Sequence, residues 1–356
     1  MRASVVGIGQ WVPDRVRENS DWPSEFVEQS RARLGDRTLI DIPAGHDDPC
    51  QRIAARYLAL EASDPFLGTT RRRVADPLTT GVEAEALAAR AALQDASVDA
   101  QDVDAILSWA IVPDRITPSN ACRVAHEIGA RRAWCMGVDS ACASVVTQLM
   151  LAAALIEAGR AGAVLLLQSH CVTRAMPMMH PASPNVGDGA AAMVVCATEH
   201  AGIRATHALT EGQYFDAVTW CRGKTPADTS WWLSGPAFYL GSLDPGAARD
   251  LMQNTVRIAV DTIRELMQRA REPLGGIDVL AAVQPRRWVP AAIAEGLGLD
   301  IRRAPQTFDE YAHLGGAGVV TNLIAAREAG LLRRGARVAL YAQGAGFTRA
   351  AALLEW

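Results

Sequence analysis

Asp139-Ser-Ala-Cys142-Ala-Ser144 separates two different kinds of sequence. Before it, Trp134–Asp139 predicts a strand. After it, residues 142–158 predict a helix whose strongly polar positions beyond the first turn are Thr147, Gln148 and Glu157. A helix apolar nearly all round is covered on every side. Small residues surround the Cys142 sulfur, as a tight strand-to-helix turn and close approach of a substrate both require. Unpaired N–H groups at a helix start favour a thiolate and can cradle an oxyanion. A thiolate there accepts acyl groups from thioesters and keeps them reactive. The residues alone leave a second reading open, in which Cys142 is one more small core residue.

Working outward, short apolar runs at 103–108, 163–168, 191–196, 277–283 and 337–342 predict strands. Most lack polar alternation, which fits sheets covered on both faces by helices. Residues 82–95, 250–269 and 319–329 predict further helices, the last ending near Gly330. The segment 198–248 holds Gly, Pro, Asp, Thr and the pair Trp231-Trp232, and reads as loops with irregular strands. It is either a wall or lid over a substrate channel or a surface insertion. Residues 20–62 are polar and irregular before a helix-like stretch, Gln51–Glu61.

The 356 residues suit two domains or one large α/β unit. With 49% hydrophobic and 21% charged residues, a large core is available and long disorder is not expected. A net charge of −4, with 35 Lys plus Arg scattered along the chain, gives no nucleic-acid signature. Seven cysteines without a CxxC pair argue against a disulfide scaffold or zinc ribbon, and no metal site is expected. The start, Met1-Arg-Ala-Ser-Val-Val-Gly-Ile-Gly, has no signal-peptide pattern, and no apolar run reaches about 18 residues. A cytoplasmic protein with free thiols and no membrane partner is the expectation.

Four landmarks together resemble the thiolase superfamily, and within it the β-ketoacyl-acyl-carrier-protein synthase III-like enzymes. Val6-Gly-Ile-Gly-Gln-Trp-Val-Pro13 looks like the opening strand and turn. Asp139-Ser-Ala-Cys142 looks like the nucleophile motif, and Asn185-Val-Gly-Asp-Gly189 resembles the Gly-Asp-Gly-Ala segment. Residues 335–356, GARVALYAQGAGFTRAAALLEW, resemble the last hairpin without gaps. The resemblance covers nearly the whole chain and implies an α/β, five-layered αβαβα fold. Its pseudo-symmetric halves would be residues 1–198, carrying the nucleophile, and 199–356, carrying His313 and the oxyanion loop. It also implies a homodimer and a Cys142 acyl-enzyme loaded from a coenzyme A or acyl-carrier-protein thioester, with no separate cofactor.

The sequence departs from the family at two places. Condensing members carry a His in a His-Gln-(Ala/Pro) motif. Here Ala282-Val283-Gln284-Pro285 puts Val283 at that position, or Gln284 with a one-residue shift. Counting back from the C-terminal match puts His313 where the family has an Asn. By the resemblance to thiolases and elongating ketosynthases, His313 is a candidate base for Cys142. The bland alternative is a loop His bonded to a backbone carbonyl. The oxyanion donors would be the backbone N–H groups of Cys142 and Ala345. Arg349 replaces a family Trp. His170 and His180 are weaker catalytic candidates, and Arg71-Arg-Arg73 is either a phosphate or carrier-protein contact or a solvated surface. Trp231, Trp232 and Trp288 either line an acyl pocket or pack the core. The resulting expectation is an acyltransferase of secondary, polyketide-type metabolism. The alternatives are a condensing ketosynthase, or a non-catalytic subunit of a heterodimeric synthase.

Overall fold

A computed structural model describes residues 2–36, 48–199, 202–222 and 238–356. Two mixed sheets organise it. The first runs, edge to edge, Arg2–Trp11, Asp188–Thr198, Ala163–Cys171, Ala105–Ala110 and Trp134–Gly137. The last three strands are parallel, and Asp188–Thr198 is antiparallel to both of its neighbours. The second sheet runs Val279–Ala282, Arg337–Gly344, Thr348–Glu355, Ile203–Thr210. Only its first pair is parallel.

Successive side chains of a strand point to opposite faces, so a strand covered on both sides must be apolar throughout. The strand Ala163–Cys171 is buried at every position. Its Val164 and Leu166 join the central core, while Leu165 and Leu167 face an outer helix layer. In the second sheet Val279 and Ala281 face the central core, and Leu280 and Ala282 face the other outer layer. The helices Ser144–Glu157 and Ala317–Glu328 lie between the sheets, contributing Val145, Leu149, Ile156, Val319, Val320 and Leu323 to the shared core. Gly81–Ala96 and Asn120–Ile128 cover the outside of the first sheet. Pro245–Ala270, Val289–Gly296 and Pro49–Glu61 cover the outside of the second. This is the five-layered α/β arrangement that the resemblance implies. No described helix is long and apolar enough to cross a membrane.

Two expectations change. The strand entering the Cys142 turn ends at Gly137 rather than Asp139, and a 3-10 turn, Ala141–Ala143, precedes the helix, which starts at Ser144. Within the segment 198–248, read as loops with irregular strands, one strand is regular. Ile203–Thr210 is a full strand of the second sheet, paired with Thr348–Leu354. That strand (IRATHALT) mixes polar and apolar residues without strict alternation, burying Ile203 and His207 and exposing Arg204, Leu209 and Thr210. The hairpin Thr219–Arg222 and Phe238–Gly241 stands apart from both sheets. Trp231 and Trp232 lie outside the described residues.

One buried acid ties the first outer layer to its sheet. Glu85, fully buried in the helix Gly81–Ala96, accepts hydrogen bonds from Ser108 Oγ (2.8 Å), Ser169 Oγ (2.6 Å) and Asn120 Nδ2 (3.0 Å). Burial pushes its carboxyl up to about 7, against the help of those donors. The folded chain therefore holds a proton here that the unfolded chain releases near pH 4.3. Stability from this group is complete below the unfolded value and falls as pH rises through about 7. Urea unfolding between about pH 5 and about pH 8 should lose on the order of 2 kcal/mol from this site, and Glu85→Gln should flatten that slope. An unchanged slope in the variant would assign the pH dependence elsewhere.

Candidate active site

The Cys142 turn is held by local polar braces. Asp139 Oδ1 accepts the Ala141 N–H at 2.8 Å and the Trp109 indole N–H at 2.9 Å. Ser144 Oγ accepts the Ser140 N–H at 2.8 Å. Ala141 sits at φ 49°, in the left-handed region where a small side chain limits the steric penalty. The last hairpin closes over this turn at Gly344. A Cβ on Gly344 would stand 2.1 Å from the Ser140 carbonyl oxygen and 2.9 Å from the Cys142 nitrogen. Glycine is therefore obligatory there, and it sets the Ala345 turn against the Cys142 backbone. Ala345 itself is not among the residues with positive φ, so replacing the family's glycine leaves its backbone unstrained.

His313 reaches Cys142 from the other half of the chain. Its backbone is clamped on both sides. The His313 N–H donates to Asn185 O at 3.0 Å, and the Gly187 N–H donates to His313 O at 3.1 Å. A Cβ on Gly187 would lie 2.1 Å from Tyr311 O, so this approach also demands glycine. The ring then sets its Nδ1 3.1 Å from the Gln284 carbonyl and its Nε2 3.6 Å from Cys142 Sγ. A carbonyl can only accept, so Nδ1 carries the proton and Nε2 is left as a base facing the thiol.

Burial works against the thiolate expected at a helix start. Burial pushes the Cys142 thiol up to about 12, and the nearby Asp139 adds to this. Burial, followed by the neighbouring His170, pushes His313 down to about 3. Desolvation disfavours the charged forms of both groups, in the direction of a neutral thiol beside a neutral imidazole. Here desolvation outweighs the helix-start effect, which is worth about 1 kcal/mol.

Val283 lines the same cavity and is 1% exposed. Gln284 does not substitute for it. Its Nε2 donates to Thr307 Oγ1 at 2.9 Å, and its Oε1 accepts from Asn322 Nδ2 at 3.1 Å and from the Thr307 N–H at 3.2 Å. Both ends of the amide are engaged by Thr307 and Asn322, and the Gln284 carbonyl is the group that meets His313.

The cavity has a volume of about 790 Å³. Cys142, His313, Val283, Ala345 and, unexpectedly prominent, His170 all border it. His170 lies at the buried end of Ala163–Cys171, with its ring centroid 5.3 Å from that of His313. A lone His after an apolar strand carries no motif, which is why the sequence ranked it low. His180 also borders the cavity. Tyr214, Trp220 and Leu240 form part of the wall, so part of the described 198–248 segment lines the cavity, joined by Leu251 from the helix Pro245–Ala270. Among the described cysteines only Cys142 opens into it.

Three other candidates are structural. Arg72 is fully buried, donates to Pro184 O and Arg17 O, and lies over the Trp22 ring; Arg71 pairs with Glu310, and Arg73 donates to Pro13 O and Asp14 O. Arg72 is thus an internal brace, whereas Arg71 is exposed in a surface pair with Glu310. Trp288 stacks on Tyr57 at 5.7 Å in the outer core of the second sheet. Arg349 turns away from the cavity to pair with Glu211 at 3.0 Å and donate to Thr262 Oγ1 at 2.8 Å.

Comparison with known proteins follows the same lines. Residues 136–212 match the family described as 3-Oxoacyl-[acyl-carrier-protein (ACP)] synthase III, and residues 267–356 match its C-terminal counterpart. A β-ketoacyl-[acyl-carrier-protein] synthase III of Methylococcus capsulatus is 28% identical over 309 residues, covering 84% of this chain and 92% of that one. The crystal structure of 3-oxoacyl-[acyl-carrier-protein] synthase III from Aquifex aeolicus superposes with a TM-score of 0.79 at 22% identity, covering 99% of this chain and all of the other. The priming β-ketosynthase of the R1128 polyketide biosynthetic pathway gives 0.78 at 22% identity, over 99% and 96% of the two chains.

Two measurements test the geometry. Gly344→Ala forces backbone against backbone at the Cys142 turn, so labelling of Cys142 by acyl thioesters should fall at least tenfold, on the order of 1.4 kcal/mol. A neutral Cys142–His313 pair also predicts that iodoacetamide labelling of Cys142, followed by peptide mass spectrometry, climbs steadily from about pH 6 to about pH 9. A plateau below about pH 7 would instead reveal a thiolate–imidazolium pair.

Proposed function

We propose that this chain, a β-ketoacyl-acyl-carrier-protein synthase III-like member of the thiolase superfamily, is an acyltransferase of polyketide-type secondary metabolism. It takes an acyl group from a coenzyme A or carrier-protein thioester onto Cys142 and passes it to an acceptor nucleophile. The observation that carries this reading is the 3.6 Å approach of Cys142 Sγ to His313 Nε2, in a cavity where Val283 offers no polar group.

In acylation the Cys142 sulfur attacks the thioester carbon while His313 Nε2 takes the thiol proton. Charge develops on the carbonyl oxygen, and the Cys142 and Ala345 backbone N–H groups are the donors assigned to it. When the tetrahedral intermediate collapses, the same proton goes to the departing carrier sulfur, and His313 returns to neutral. A base of low pKa serves here because it never holds the proton for long. The apolar walls keep water from the acyl-enzyme. Carbon–carbon bond formation from a malonyl thioester asks for more. The enolate left by decarboxylation needs a donor on its oxygen, and Val283 supplies none.

A condensing ketosynthase is the second reading, favoured by the names of the curated relatives. A non-catalytic synthase subunit is less well supported, since the nucleophile and a base face each other. Intact-protein mass spectrometry with a panel of acyl-coenzyme A and acyl-carrier-protein thioesters separates the three. The expected result is one acyl adduct, absent in Cys142→Ala and formed about 10²–10⁴-fold more slowly in His313→Ala. Carbon dioxide release from malonyl thioester that depends on Cys142 would replace the proposal with the condensing reading. Failure of every thioester to acylate the chain would leave the subunit reading.

A further inference from the structure

We infer that His170 is a second catalytic imidazole, the general base that receives the proton of an O–H or N–H acceptor when the acyl group leaves Cys142. The inference rests on the acyltransferase reading and names its acceptor class, an alcohol or an amine rather than a carbon nucleophile.

The geometry of His170 repeats that of His313. Its Nδ1 lies 2.8 Å from the Gly187 carbonyl, which can only accept, so Nδ1 carries the proton and Nε2 keeps its lone pair. The ring is 1% exposed and stands at the cavity wall, edge-on to His313 with an interplanar angle of 70°. Its position is fixed by the sheet, where His170 pairs with Gly189 across antiparallel strands. It is also fixed by an absence of side chain opposite. A Cβ on Gly315, at φ 55°, would lie 2.7 Å from His170 Cδ2. The ring thus fills the space that any other residue at 315 would claim. Burial holds His170 down to about 4, so it is an unprotonated acceptor at neutral pH.

Two half-reactions explain two imidazoles. Cys142 acylation uses His313, which faces the sulfur. In the second half-reaction the acceptor must lose a proton as its oxygen or nitrogen bonds to the acyl carbon. His170 Nε2 takes that proton as the new C–O or C–N bond forms. The C–S bond then breaks, and the proton passes to the Cys142 sulfur, restoring the thiol that His313 Nε2 faces. No oxidant, reductant or further co-reactant is needed. A carbon nucleophile released by decarboxylation carries no such proton and would leave His170 without a task.

The test separates the half-reactions. The enzyme is acylated with octanoyl-coenzyme A, freed of excess thioester, and mixed with n-propanol, n-propylamine or the thiol N-acetylcysteamine, with loss of the adduct followed by mass spectrometry. His170→Asn keeps a donor toward Gly187 O but removes the base, and His170→Gln supplies a second variant. Both should acylate within about threefold of the wild-type rate and transfer to propanol and propylamine about 10²–10⁴-fold more slowly. Transfer to the thiol, which ionises without help, should fall by about tenfold or less. Equal losses for all three acceptors, or no loss for any, would overturn the inference, as would wild-type transfer to the thiol alone. A wild-type chain that never forms the acyl adduct would instead overturn the acyltransferase reading on which the inference rests.

Discussion

The two central helices begin at one point, and the site exists because they do. The carbonyl of Cys142 faces Gly316, where a Cβ would stand 3.2 Å from it and 2.4 Å from Gln168 Oε1. Ser144–Glu157 leaves from one side of that contact and Ala317–Glu328 from the other. Both helices start between the sheets, so their unpaired N–H groups cannot all turn to bulk water, although Ser144–Glu157 is not covered on every side as its composition predicts and leaves Leu151, Ala154 and Glu157 exposed. Small residues at Ala141, Ala143, Gly315 and Gly316 let the two starts approach each other, and the cavity opens beside them. Packing of the middle layer therefore fixes the Cys142–His313 distance, and the catalytic geometry follows from how two apolar helices are covered.

The interior that makes this possible also sets the chemistry. Removing water from the Cys142 sulfur and the two imidazoles disfavours charge on all three. A neutral thiol is a slow nucleophile until a thioester arrives and a base takes its proton in the same event. Val283 belongs to the same logic, because it puts an apolar wall at that position.

Layering was legible in the sequence wherever an element is covered on both sides. Unbroken apolar runs such as 163–168 and 191–196 announce central strands, and the helix after Cys142 announces the middle layer. Ile203–Thr210 was not legible as a regular strand, because its polar and apolar residues do not alternate strictly and three of its eight residues are exposed. The facing of Cys142 and His313 spans 171 residues, and no local pattern encodes it. It came from counting along a resemblance. His170 had no such guide, since its neighbours in space come from residues 187, 313 and 315. A helix start can be seen in sequence, but how far burial works against a thiolate there depends on both sheets.

The clamp on the His313 loop has a consequence of its own. Both hydrogen bonds that hold it, to Asn185 O and from the Gly187 N–H, belong to the main chain. The loop therefore keeps its place whatever side chain residue 313 carries, so long as that side chain fits the cavity. Position is supplied by the backbone and reactivity by the side chain, and the two can vary independently. A scaffold built this way is open to evolutionary change in small steps. Exchange of one residue at the end of a fixed arm can replace an amide with an imidazole, and with it one kind of bond formation with another, while the fold is left undisturbed.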